Sequence, residues 1–114
     1  MLIAALLGGW VLAARPAAAH AILLRSAPAD GAILSAGPAD LELNFNSRID
    51  AARSRLALTG PDGVTRILAI AAPAADQLGA RAMLSVGAWV LRWQVLAIDG
   101  HITRGELRFT VADP

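Results

Sequence analysis

From residue 20 onward the apolar positions of this chain come in short alternating runs broken by turn residues. Leu41, Leu43 and Phe45 alternate with Asp40, Glu42 and Asn44, the period of two expected of a strand with one face in solvent. Trp89, Leu91, Trp93 and Val95 share one face of a second run, and Arg92 and Gln94 share the other. A third run, Glu106 to Ala112, directs Leu107, Phe109 and Val111 inward. Pro28-Ala29-Asp30-Gly31 and Pro61-Asp62-Gly63 are turn sequences, with proline pre-setting φ and glycine supplying positive φ. The second of them predicts a hairpin joining residues 54–59 to 64–70. Ala71 to Gly79 is expected to be a loop, since Pro73 and Gly79 interrupt what alanine richness would otherwise favour as helix. About seven short strands at this spacing predict an all-β, antiparallel sandwich. Trp89 and Trp93 are expected in its core, where large aromatics dominate burial in a small domain.

The first 14 residues, MLIAALLGGWVLAA, follow a different pattern: an apolar run without a charge. As a helix at about 1.5 Å per residue it would cover roughly 21 Å, short of the ~30 Å hydrocarbon core of a bilayer. That length suits the apolar region of a secretory signal, and Ala17-Ala18-Ala19 supplies the small residues a signal peptidase requires. Residues 1–19 are therefore expected to be a cleaved signal peptide and residues 20–114 the exported domain. Cleavage after Ala19 would make His20 the first residue. A second small-x-small site, Ala19-His20-Ala21, would instead discard that histidine.

Composition removes several classes of function. With 114 residues there is room for one domain, and 56% hydrophobic against 17% charged residues rules out wholesale disorder. There is no cysteine, hence no disulfide, zinc–thiolate site, iron–sulfur cluster or thiol nucleophile. All ten basic residues are arginine, and loss of Arg15 with the leader leaves nine against nine acids. A nucleic-acid binder would carry a basic stripe interleaved with aromatics, which is missing from the pattern, so no nucleic-acid partner is expected. None of the five serines lies in a nucleophile-elbow sequence.

The remaining chemistry is carried by two histidines. His101 closes Asp99-Gly100-His101, directly after the tryptophan-bearing run, and glycine lets the chain turn so that carboxylate and imidazole can converge. Alone, such a triplet is an ordinary surface turn. A terminal His20 would add an α-amine and an imidazole nitrogen in one chelate ring. Three nitrogens and one oxygen suit tetragonal Cu(II), whereas zinc prefers a tetrahedral set and calcium or magnesium oxygens alone.

The stretch from His20 through Pro28 to Gly31, followed by Pro38 and Leu41 to Phe45, resembles the opening of the CopC family of periplasmic copper-resistance proteins. Trp93 to His101, with Gly105 and Phe109 to Val111, is similar to that family's closing motif. The resemblance spans residues 20–114. It implies an immunoglobulin-like Greek-key β-sandwich, monomeric and periplasmic, that binds one Cu(II) per chain through His20, Asp99 and His101. It also implies a separate inner-membrane partner of the CopD type, to which copper would pass. The family commonly has serine two residues before the aspartate, where this chain has Ala97. Only Met1 and Met83 are present, so the methionine-rich Cu(I) site of some members is expected to be missing.

Two other functions compete with a copper carrier. A terminal histidine chelate also occurs in copper oxygenases, although about 95 residues is small for such an enzyme and tyrosine is absent. A metal-free interaction module would make both histidines incidental. The carrier reading predicts no enzymatic activity.

Overall fold

The structure, a computed structural model, describes residues 21–113. The expected signal peptide, residues 1–19, and His20 lie outside the described residues. Eight strands follow in chain order: β1 (Leu23–Ala27), β2 (Ile33–Ser35), β3 (Gly37–Phe45), β4 (Ile49–Thr59), β5 (Thr65–Ile67), β6 (Gln77–Leu84), β7 (Gly87–Ala97) and β8 (Ile102–Ala112). They form two sheets, one of order β1-β3-β6 and the other β2-β8-β7-β4-β5. The non-consecutive neighbours β3–β6 and β7–β4 make this a Greek-key sandwich. All pairs are antiparallel except β2 with β8, which is parallel.

The core follows from the alternation. Trp89, Leu91, Trp93, Val95 and Ala97 of β7 and Leu107, Phe109 and Val111 of β8 are buried against Leu41, Leu43 and Phe45 of β3. Trp89 stacks on its register partner Phe109 with ring centroids 6.5 Å apart. Trp93 meets Phe45 of the other sheet edge-on at 5.4 Å, so one aromatic contact bridges the two layers. Both tryptophans are core residues, as their spacing predicts. Trp93 is seated over its register partner Gly105, where a Cβ would come within 2.4 Å of the indole Cζ2.

Three local features depart from the sequence pattern. β6 begins at Gln77, inside the segment expected to be a loop, and carries Leu78, Ala80 and Leu84 inward. Its period of two is masked by alanines, which contrast weakly with their neighbours. β5 is shorter than the predicted 64–70 strand, and the chain leaves it to run beside β6. There Ala71 and Gly79 exchange backbone hydrogen bonds of 2.8 and 2.7 Å, which blunts an edge that would otherwise be open for pairing. Asn44, predicted on the wet face of β3, is buried: its Oδ1 accepts Gln77 Nε2 at 2.6 Å and its Nδ2 donates to Glu42 at 3.1 Å. The polar partners satisfy the amide, so burial costs little.

Candidate metal centre

The β7–β8 hairpin turns at Ile98–His101, and its backbone is tied on three sides. Gly100 N–H donates to Ala97 O at 2.9 Å, Ala97 N–H to His101 O at 2.7 Å, and Ile98 N–H to Arg48 O in the β3–β4 loop at 3.1 Å. Gly100 has φ +94°, a left-handed conformation that a side chain would oppose. With the turn so fixed, Asp99 Oδ1 accepts the His101 backbone N–H at 3.1 Å, and Asp99 Oδ2 lies 2.8 Å from His101 Nδ1. Sequence reasoning expected this convergence, and the structure brings the two side chains together.

The His101 N–H is the chief reason why the Asp99 carboxyl is held below the ordinary aspartate value. Partial burial opposes it, and the imidazole adds to the lowering. Asp99 is therefore ionised more readily than an ordinary aspartate, which suits it to meet a cation. The pair can serve a cation in two ways. Two donors at right angles on one ion, each about 2.0 Å from it, lie about 2.8 Å apart, so Nδ1 and Oδ2 are spaced to share a metal. Alternatively Nδ1–H donates to the carboxylate, which orients the ring and directs Nε2 to the metal.

The pattern along the sequence did not single out the residues that pin the start of the domain to this turn. Thr103, two residues beyond His101, donates its hydroxyl to the carbonyl of Ala21 at 2.9 Å across 82 positions of chain. Ala21 itself is 1% exposed. Ile22 is held by Asn46, whose Oδ1 accepts its N–H at 2.8 Å and whose own N–H donates to its carbonyl at 3.0 Å. The residue that follows His20 is thus locked beside β8, the strand that begins directly after His101. One signal was available: Thr103 continues the inward series of Gly105, Leu107 and Phe109, so its hydroxyl had to find a partner inside the sandwich. Among the described residues no group of three or more histidine, cysteine, aspartate or glutamate side chains converges on one point.

These features define a class: small Greek-key β-sandwich domains that expose a carboxylate–imidazole pair at the tip of one hairpin. The comparison with known proteins is more specific. The CopC domain is matched over residues 23–112. Copper resistance protein C of Xanthomonas campestris pv. juglandis is 33% identical over 110 residues, covering 88% of this chain and 86% of that protein. Protein YobA of Escherichia coli K12 is 30% identical over 104 residues, covering 82% and 79% respectively. The crystal structure of CopC from Methylosinus trichosporium OB3b superposes with a TM-score of 0.73 at 26% identity, over 82% of this chain and 95% of that one. PcoC of Escherichia coli, described as a methionine-rich copper resistance protein, has the same fold, with a TM-score of 0.68 at 23% identity. The chain belongs to the CopC-domain family.

Proposed function

We propose that this protein is a periplasmic Cu(II)-binding protein of copper resistance, secreted by way of residues 1–19 and active as residues 20–114. It takes up one Cu(II) through the α-amine and imidazole of His20 together with Asp99 and His101. The observation that carries this reading is the Thr103–Ala21 hydrogen bond beside the Asp99–His101 pair, since it fixes the chain one residue away from His20. Membership of a family whose relatives include copper resistance proteins supports copper as the cargo. The donors are hard nitrogen and oxygen atoms, and an ionised carboxylate offsets part of the metal's charge, which favours Cu(II) over Cu(I). With two methionines in the whole sequence, a thioether cluster for Cu(I) is not available to it. The protein acts as a monomeric carrier or buffer without catalytic turnover, and passes copper to an inner-membrane partner of the CopD type.

A Cu(II) competition titration tests this directly. The protein that begins at His20 is compared with one bearing a single glycine before it, which converts the α-amine into a neutral amide and removes one arm of the chelate. The extension is expected to weaken Cu(II) binding at least as much as His101→Ala, with the melting temperature of the metal-free protein unchanged. Equal affinities of the two forms would exclude His20 as a terminal ligand.

A further inference from the structure

The outward face of the five-stranded sheet is cationic. Register places Arg55, Gln94 and Arg104 in one row across β4, β7 and β8, with Ala57, Arg92 and Glu106 in the next and Thr59, Val90 and Arg108 in the third. Four arginines share this face with two carboxylates, Glu106 and, in the row of Leu96 and Ile102, Asp50, which pairs with Arg53 at 3.5 Å. Glu106 pairs with Arg92 at 3.3 Å and Arg108 at 2.9 Å. Arg104 donates instead to the neutral Gln94 at 2.8 Å, and neither Arg55 nor Arg104 has an acidic partner among the described residues. The small side chain of Ala57 leaves a groove of about 420 Å³ lined by Arg55, Arg92 and Arg104 and, on one side, by Glu106, whose charge Arg92 and Arg108 neutralise.

The rim of the same face is apolar. Ile33 on β2, Ile67 on β5 and Ile102 at the start of β8 are register partners of outward-facing residues, and they are 73%, 62% and 49% exposed. Dispersed cations within a fringe of exposed aliphatic side chains are complementary to an anionic bilayer surface, where arginines meet lipid phosphates and aliphatic groups enter the headgroup boundary. A short acidic peptide would use the charge but leave the isoleucines in water.

We propose that this face docks the protein on a membrane surface rich in anionic phospholipid, with Arg55, Gln94 and Arg104 receiving a phosphate headgroup. Arg104 lies three residues beyond His101, so docking by this face holds the Asp99–His101 turn beside the bilayer. The proposal does not depend on the metal ligands, and its test uses no copper.

The test is co-sedimentation of the protein with vesicles of equal parts phosphatidylglycerol and phosphatidylcholine, and with phosphatidylcholine alone, at about 50 and about 500 mM NaCl. All variants are compared in one chain length starting at His20, so that the apolar leader does not partition. The Arg55→Gln/Arg104→Gln variant is expected to bind anionic vesicles roughly thirty-fold more weakly, at about a five-fold loss for each cation. The variant Arg55→Lys/Arg104→Lys retains most of the binding. Arg25→Gln/Arg81→Gln, with the same change in net charge on the opposite sheet, binds like the parent. Binding is expected to fall at the higher salt and to be weak on phosphatidylcholine alone. Equal loss in the two glutamine variants would reduce the effect to net charge and overturn the proposal. So would parental binding by the first variant, or absence of vesicle binding by a protein that still binds an acidic peptide.

Discussion

Thr103→Val isolates the contact that fixes the start of the domain. Valine keeps the shape of threonine but cannot donate, so the Ala21 carbonyl, on a residue almost wholly buried, loses the hydroxyl that reaches it at 2.9 Å. An orphaned buried acceptor costs about 1–3 kcal/mol. For a domain of this size, a cost of about 1.5 kcal/mol lowers the melting temperature by roughly 6–12 °C. The same hydrogen bond holds the chain next to His20, so its loss also loosens the proposed chelate. Its contribution to metal binding cannot exceed its own free energy, which limits the fall in Cu(II) affinity to about ten-fold. Thr103→Ser, which keeps the donor, is expected to retain both properties. Calorimetry of the metal-free protein measures the first effect, and competition titration with Cu(II) the second. A lower melting temperature with parental copper affinity would refute the link between this anchor and the site.

Gly105→Ala forces a methyl group against the Trp93 indole, which also meets Phe45 edge-on. A loss of about 1–3 kcal/mol is expected from such overpacking, and a melting temperature equal to the parent's would show that Trp93 can shift freely. The proposed amine and imidazole ligands must shed protons to bind, so Cu(II) affinity is expected to fall steadily from about pH 8 to about pH 5. Asp99, held below the ordinary aspartate value, stays ionised throughout that window. Whatever stability its charge confers is complete above the ordinary value and is lost only as pH falls through the lowered one. Asp99→Asn should therefore lower copper affinity without changing the slope of its pH profile between those limits, and a flattened profile would mean that the carboxyl titrates there.

Much of the fold is legible in the sequence because large apolar side chains alternate with charged ones. Trp89 to Val95 and Leu107 to Val111 could face only one way, and Pro61-Asp62-Gly63 could only turn. The three residues of β2 offer too short a pattern to register, and their parallel pairing with β8 is a long-range event. Alanine obscured β6 in the same manner that leucine or valine would have revealed it. At the candidate site, Asp99 and His101 were legible because glycine and two residues of spacing impose their meeting locally. Thr103 with Ala21, and Arg55 with Arg104, are brought together by strand order alone, which periodicity along the chain does not encode.

The hydrogen bond between Thr103 and Ala21 joins positions 82 residues apart, and this has a temporal consequence. A chain emerging N-terminus first presents residue 20 well before Asp99 and His101, which arrive only with the β7–β8 hairpin. On the proposed ligand set, partial chains hold at most one half of the chelate, and an uncut leader masks the amine of that half. On that reading metal capture waits until the β7–β8 hairpin has been made, the proposed leader removed and the two sheets closed on each other. With that ligand set, a cargo-bearing molecule would be a certified one, its bound ion reporting that each of those steps had taken place.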